Sequence, residues 1–376
     1  MSRLGTIGAK LHRGEIGYDF VAKRRIWYGV SILITITAIV GLFVRGLNMG
    51  IEFEGGAVYT TPKTAVTASA AQHSAEEASG GHEVIVQELG NGGLRIQVSG
   101  IDTAKSDQIK AELSKDLKVP GDKIAADLVG PSWGETIANK AWTGLGVFMI
   151  LVVIYLAIAF EWRMAIAALI ALIHDITITV GVYALVGFEV TPGTVIGLLT
   201  ILGYSLYDTV VVFDSLKEGS EGIEKQTRWT YAEVANRSIN GTLIRSINTT
   251  AVALMPVAAL LFIGGGVLGA GMLNDISLSL FVGLAAGAYS SIFIATPLVS
   301  DLKEREPRMK QLRKRVLAKR AAAAANGEPL PGAEDEPADA DPDDPDAEDA
   351  APAVVGQRVQ PASRNRGRGR PSGKRR

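Results

Sequence analysis

Three charged residues stand inside apolar stretches that are long enough to cross a membrane: Asp175, Asp208 and Arg245. A charge at the bilayer centre costs about 2.5–3.5 kcal/mol on insertion scales. Such residues usually belong to a substrate or ion path, or pair with one another. The sequence therefore predicts a proton pathway or a buried charge pair built from these three side chains.

The depths of these residues favour a pairing of Asp208 with Arg245. At a helical rise of about 1.5 Å per residue, Asp208 lies about 20 Å from the outer end of its span. Arg245 lies just inside the cytoplasmic face, and its long side chain can bridge the difference. Burial favours the neutral acid and an approaching arginine favours the carboxylate, so helix motion would load and release a proton. A static Asp208–Arg245 bridge between two helices is the alternative.

Asp175 lies near the predicted midplane, where it either joins the pathway or only orients His174 and caps polar groups. Four polar residues are expected to support the pathway in a hydrated cavity on the cytoplasmic side: Ser205, Thr209, Asn248 and Thr249. Three glycines in the fourth and sixth spans are expected to mark close helix packing: Gly203, Gly283 and Gly287.

The composition argues against cofactor and metal chemistry. There are no cysteines, and the four histidines have no metal-ligand spacing. No phosphate-binding glycine motif is present, so no nucleotide site is visible. The expected coupling ion is the proton, with no cofactor, no metal and no enzymatic activity.

Apolar blocks of about twenty residues alternate with polar segments, which is typical of a polytopic α-helical membrane protein. The excess of Lys and Arg in alternate loops places both termini in the cytoplasm. The predicted spans are 27–46, 141–160, 164–187, 195–214, 244–265 and 275–298. The predicted remaining segments are cytoplasmic 1–26, extracytoplasmic 47–139, cytoplasmic 215–243, and a largely disordered charged cytoplasmic tail, 299–376.

The segment 47–139 has the pattern of a small α+β domain. Alternation predicts strands, and Asp102 is positioned to cap a helix. The stretch 64–80 is either a helix or an ordered loop. The predicted strands are 82–88, 94–99 and 122–129, and the predicted helix is 102–117. The tail changes from acidic to basic, and its partner is unknown.

Six segments carry a distinctive set of motifs along the chain. They are YDFVAKRRIWYGVS (18–31), GIEFEGG (50–56), VGPSWGETIANKA (129–141), ALIHD (171–175), GYSLYDTVVVFDSLKE (203–218) and NGTLIRSINTT (240–250). Together they resemble the motifs of the SecD/SecF family of the RND superfamily, over about residues 18–300.

The resemblance implies a six-helix half of an RND-type transporter that pairs with SecD in the bacterial plasma membrane. It also implies use of the proton motive force to assist preprotein translocation through SecYEG after SecA has acted. By motif, Asp208 and Arg245 match residues that the family implicates in proton conduction. Two departures affect their surroundings: Tyr207 stands where Asn is usual, and Ser215 where Arg is usual, with Lys217 as a partial replacement.

Three other functions remain as alternatives. A proton-independent scaffold of the translocon would keep Asp208 as a structural residue. Another RND-type transporter would usually carry both halves in one chain. An intramembrane aspartyl protease would use Asp208 and Asp175, but the chain has no GxGD motif. Such paired aspartates share a water, whereas Arg245 would hold Asp208 charged.

Overall fold

The computed structural model describes residues 17–265 and 271–327. In chain order its helices are α1 (Arg24–Arg45), α2 (Ile51–Glu54), α3 (Ala68–Ser79), α4 (Thr103–Asp116), α5 (Pro131–Ala159), α6 (Trp162–Val186), α7 (Pro192–Gly219), α8 (Tyr231–Ala259), α9 (Gly271–Ser290), α10 (Thr296–Glu304) and α11 (Pro307–Asn326). The strands are β1 (Asn48–Met49), β2 (Gly56–Thr60), β3 (Val84–Glu88), β4 (Leu94–Ser99), β5 (Ala125–Val129) and β6 (Glu189–Val190).

Six helical segments in the described part of the chain are long and apolar enough to cross a membrane, which confirms the predicted polytopic fold. They are α1, α5, α6, α7, α8, and the unit formed by α9 and α10. A π-helical stretch, Ser291–Ala295, joins α9 to α10. The α9–α10 unit packs against α6, α7 and α8 and so forms the centre of the bundle.

The helices α7 and α8 extend into the segment that was predicted as a cytoplasmic connection, 215–243. The helix α7 continues to Gly219, and α8 already begins at Tyr231. A capping box fixes that start, because Thr230 and Glu233 exchange side-chain and backbone hydrogen bonds. An apolar stretch predicts which residues can lie in the bilayer, but it does not predict where the helix ends. The sequence analysis therefore missed these polar extensions of α7 and α8.

The predicted tail, 299–376, begins with ordered helix rather than disorder. Three side chains of α11 are buried in the main hydrophobic cluster: Met309, Leu312 and Val316. Their spacing of three and four residues places them on one face of the helix. The rest of the predicted tail, 328–376, lies outside the described residues.

The segment between α1 and α5 forms a four-stranded antiparallel sheet in the order β3-β4-β2-β5, with α3 and α4 against one face. The strands predicted at 82–88 and 94–99 are confirmed as β3 and β4, which pair with each other in antiparallel orientation. The backbone nitrogen of Lys105 donates to the Asp102 carboxylate at 2.8 Å, so Asp102 caps α4 as predicted. The undecided stretch is the helix α3. We call this unit the outer domain, after the extracytoplasmic location that the sequence predicts for it.

The last glycine of the GIEFEGG motif, Gly56, allows a close backbone approach. A Cβ at Gly56 would lie 2.2 Å from the Val98 carbonyl oxygen of the neighbouring strand. Just before the motif, β1 pairs in parallel with β6, which connects the outer domain to the loop between α6 and α7.

Glycine packing is confirmed at two of the three predicted positions. A Cβ at Gly283 would lie 2.1 Å from Ile201, and one at Gly287 would lie 2.9 Å from Ser205. Both contacts join α9 to α7. The prediction for Gly203 is wrong, because a Cβ there would meet open space.

Candidate functional site

Asp208 lies in the centre of the bundle and is 4% exposed. Ser246 of α8 donates a hydrogen bond to Asp208 Oδ1 at 2.6 Å. Ser291, directly after α9, donates to Asp208 Oδ2 at 2.5 Å. One hydroxyl from each of two neighbouring helices therefore holds the carboxylate.

Asp175 forms a second buried carboxylate site of the same kind on α6. It is fully buried, and its Oδ2 accepts hydrogen bonds from Ser205 of α7 and from Ser290 at 2.8 Å. Its Oδ1 has no hydrogen-bond partner among the described residues. The carboxylate thus retains an acceptor position.

The two sites are joined through two consecutive residues, Ser290 at the end of α9 and Ser291 directly after it. Ser290 serves Asp175 and Ser291 serves Asp208. On α7, Ser205 and Asp208 are separated by one helical turn, a rise of about 4.5 Å. Ser291 begins the π-helical stretch, and such π segments are frequent at functional sites. The two carboxylates therefore belong to one polar site.

The predicted bridge between Asp208 and Arg245 does not form in this structure. Arg245 is exposed, and its guanidinium donates to the Tyr207 hydroxyl at 3.2 Å. Neighbouring residues of a helix point about 100° apart, so Tyr207 faces Arg245 while Asp208 faces Ser246. The sequence argument compared depths along the helices and left out this rotation.

His174 lies beside Asp175 with its Nδ1 3.6 Å from Asp175 Oδ1. Both ring nitrogens are buried and have no hydrogen-bond partner among the described residues. Its ring lies roughly parallel to that of Tyr289, with 6.3 Å between the ring centroids. The hydrogen bonds of the Asp175 carboxylate come from Ser205 and Ser290, so its main role in this structure is not to orient His174.

The predicted supporting residues divide into two groups. Ser205 and Thr209 are buried, and Ser205 contacts Asp175 rather than Asp208. Asn248 is exposed, and Thr249 donates to backbone carbonyls of its own helix. The start of α8 is therefore polar, but these two side chains do not reach the carboxylates.

Sequence reasoning missed Ser290 and Ser291. The signal that would have found them is a pair of adjacent hydroxyls inside the apolar stretch of the sixth span, AYSSIFIA. Of the departures from the family motif, Tyr207 accepts the hydrogen bond from Arg245, and Lys217 donates to the Ala159 carbonyl at the end of α5.

The chemistry available at this site is proton binding by carboxylates. Among the described residues no group of His, Cys, Asp and Glu has the arrangement of a metal site. A buried carboxylate must be neutralised or hydrogen-bonded, and hydroxyls can both donate and accept. The arrangement can therefore hold a proton at either aspartate.

Comparison with known protein families gives two matches. The model of the protein export membrane protein SecD/SecF C-terminal region matches residues 109–305, more than half of the chain. The model of the SecD/SecF GG motif matches residues 40–62, which contain the GIEFEGG segment.

Individual relatives agree with the family matches. The chain is 78% identical to the protein translocase subunit SecF of Streptomyces coelicolor, with all of both chains covered. It is 39% identical to SecF of Mycobacterium tuberculosis H37Rv, covering 85% of this chain and 74% of that protein.

A solved structure shows the same fold. The crystal structure of SecDF from Thermus thermophilus, a translocon-associated membrane protein, superposes with a TM-score of 0.68 at 32% identity. The match covers 77% of this chain and 39% of that chain, which is longer. With six span-capable helices, this is a multi-pass membrane protein. The chain belongs to the SecD/SecF family of protein export membrane proteins, on its SecF side.

Proposed function

We propose that this chain, together with SecD, uses the proton motive force to assist preprotein translocation through SecYEG after SecA has acted. It would do so in the bacterial plasma membrane, with both termini in the cytoplasm. The coupling ion is the proton, no cofactor takes part, and the chain performs no enzymatic reaction. The relatives named as translocase subunits favour this role over that of another RND-type transporter half.

The observation that carries the proposal is the pair of buried carboxylates held by serine hydroxyls. Neither Asp175 nor Asp208 has an arginine or lysine within ion-pair distance among the described residues. An ionised carboxylate in such a place is costly. A proton is the simplest ligand that neutralises it, so both sites are suited to take up and release protons.

The exposed position of Arg245 supports a change of state during the cycle. Arg245 directly precedes Ser246, which contacts Asp208, and its partner Tyr207 directly precedes Asp208. A rotation of α8 relative to α7 would exchange Ser246 for Arg245 at the Asp208 carboxylate. In that second state the cation would favour the ionised form and release the proton.

The proposed partnership with SecD has two supports. Relatives such as the SecDF of Thermus thermophilus carry both names in one chain. In addition, the face of α8 around Arg245 is open, and Val252 and Met255 are 68% and 67% exposed on the same helix. An arginine facing lipid is costly, so a partner helix or a hydrated interface is expected to cover it.

The proposed orientation is supported by the distribution of basic groups. The helix α11 carries seven lysines and arginines between Arg308 and Arg320. Its apolar residues belong to the same hydrophobic cluster as Phe160, Leu216 and Tyr231, which lie at one end of the bundle. The outer domain contacts the opposite loop through β6. Basic segments remain on the cytoplasmic side.

The test is export of a preprotein into inverted membrane vesicles that contain SecYEG, SecD and this chain, with SecA supplied. Wild type is compared with Asp208→Asn, with and without a proton gradient. The gradient should stimulate late translocation in wild type and not in the variant. Ser300→Ala serves as a control, because Ser300 is a buried serine whose hydroxyl has no hydrogen-bond partner among the described residues.

A scaffold would give a different result. If Asp208→Asn responds to the gradient as wild type does, the buried carboxylate is structural and the proton-coupled role is lost. The same outcome with Asp175→Asn would remove the whole polar site from the pathway.

A further inference from the structure

A second polar cluster lies far from the bundle centre, between the sheet of the outer domain and the outer ends of the helices. We call Glu52, Glu189 and Asp275 the outer acidic cluster. They line a cavity of about 410 Å³, together with Arg95 and Asp127 from the sheet. Asp208 lies sixteen residues along α7 from Pro192, a distance of about 24 Å, so this cavity is separate from the site described above.

The cluster is crowded with negative charge. A Cβ at Gly50 would lie 2.5 Å from Glu52 Oε2 and 3.1 Å from Glu189 Oε1, so both carboxylates converge over this glycine. These two oxygens are buried and lack hydrogen-bond partners among the described residues. Asp275 Oδ2 accepts a hydrogen bond from Thr191 at 3.0 Å.

One ion pair joins the outer domain to this cluster. Arg95 of β4 lies 3.1 Å from Glu189 Oε2, and the Glu189 side chain is only 9% exposed. Glu189 belongs to β6, in the loop between α6 and α7, and β6 pairs with β1 at the start of the outer-domain segment. Burial raises the pKa of Glu189 to about 7, with Glu52 and Asp275 adding to the rise and Arg95 opposing it.

We propose that Glu189 is the outer proton-loading residue, and that its protonation state controls how firmly the outer domain docks on the helices. The proposal deepens the proposed function, because it assigns the point at which external protons act on the moving domain. It concerns residues that touch neither Asp175 nor Asp208.

The sign of the effect follows from linkage. In the docked arrangement Glu189 has a pKa of about 7, whereas a hydrated glutamate has its ordinary value of about 4.5. The docked state therefore binds the proton more tightly, so docking is strongest at low pH and weakens as the pH rises from about 4.5 to about 7. A proton taken from the acidic outer side closes the domain, and its loss opens it.

The experiment measures a distance across the contact. Because the chain has no cysteines, spin labels can be attached at Gln108→Cys on α4 and Val186→Cys at the end of α6, both exposed. The full chain is reconstituted in lipid vesicles, and distance distributions are recorded from pH 4.5 to pH 8.5. Wild type should gain a longer-distance population as the pH rises.

Two variants separate this proposal from a simple structural ion pair. Glu189→Gln should remain in the short-distance state at every pH, because it mimics the protonated acid. Arg95→Gln should show a larger open population than wild type at pH 8, because the opposing positive charge is gone. Glu88→Gln, an exposed carboxylate on the same sheet, should titrate as wild type does.

Three results would overturn the proposal. The first is a distance in wild type that does not depend on pH, and the second is a distance in Glu189→Gln that still changes with pH. The third is equal opening of Glu189→Gln and Arg95→Gln, which would show that Arg95 and Glu189 form only a structural salt bridge. Thermal unfolding of each variant identifies one that fails to fold, and the other variant then decides. Asp208→Asn should keep the distance response, so failure of the proposed function is distinguishable.

Discussion

At Asp208 two serine hydroxyls perform the role that charge considerations alone assign to an arginine. A hydroxyl holds a carboxylate in either protonation state, since it can donate to the anion and accept from the acid. A guanidinium only donates. The observed contacts with Ser246 and Ser291 therefore suit a group that changes its protonation during a cycle.

The first residue-scale prediction concerns Ser291→Ala. Removing a hydrogen bond to a buried carboxylate costs about 1.5–3 kcal/mol, so gradient-stimulated export should fall about tenfold or more. The vesicle export assay measures this, with Ser300→Ala as the matched buried serine. An export rate equal to that of wild type would show that Asp208 does not depend on this hydroxyl.

The second prediction separates the two partners of the exposed pair. Tyr207→Phe removes a single hydrogen bond at an exposed position, so its effect should be small, below about 0.5 kcal/mol. Arg245→Met should abolish the response to the gradient if the arginine reaches Asp208 in another state. Equal effects of the two variants would show that Arg245 acts through Tyr207 instead.

At the scale of elements, the contact between α7 and α9 positions the hydroxyls. Gly287 allows Ser205 to approach α9, and Ser205 in turn donates to Asp175. The π-helical stretch Ser291–Ala295 follows Ser290 directly and includes Ser291, the second serine of the site. Helix packing and carboxylate geometry are therefore coupled.

Glycine substitutions in the spans test this coupling. Gly287→Ala would place a Cβ 2.9 Å from that of Ser205, and overpacking costs about 1–3 kcal/mol. Thermal unfolding in detergent and export should both be impaired. Gly203→Ala is the control, because its Cβ meets open space and alanine favours a helix. If both variants behave alike, the close contact is not needed.

The docking of α11 gives a prediction on stability. Leu312 is fully buried whereas Leu317 of the same helix is 51% exposed. Leu312→Ala should destabilise this contact by about 2–5 kcal/mol, which limited proteolysis detects as earlier cleavage within α11. Leu317→Ala should be cleaved as wild type is. Equal protection of both variants would mean that α11 is held by its charged contacts.

At the scale of the whole molecule, the spans differ in how much of their surface the bundle covers. The helix α8 is among the least covered, while α6 and the α9–α10 unit are the most buried. The open face of α8 includes Arg245 and Val252, which are seven residues, or about two helical turns, apart. A partner at this face would complete the site from outside.

A labelling experiment tests where that partner binds. Val252→Cys should react more slowly with a membrane-permeant maleimide when SecD is present, by about tenfold if a helix covers it. Phe43→Cys on α1, which is 84% exposed, should be unaffected. Equal labelling at position 252 with and without SecD would place the partner elsewhere.

The sequence by itself determined the six span-capable segments, the α+β composition of the outer domain and the places of Asp175 and Asp208 within two of these segments. These follow from local patterns, since apolar length, strand alternation and an N-cap residue act within one segment. Tertiary structure alone decided which groups meet. Depth along a helix can be counted from the sequence, but the orientation of α8 about its own axis is set by packing, and it places Ser246 rather than Arg245 at Asp208. Packing against the bundle likewise ordered α11, because its apolar face needs a surface to cover it.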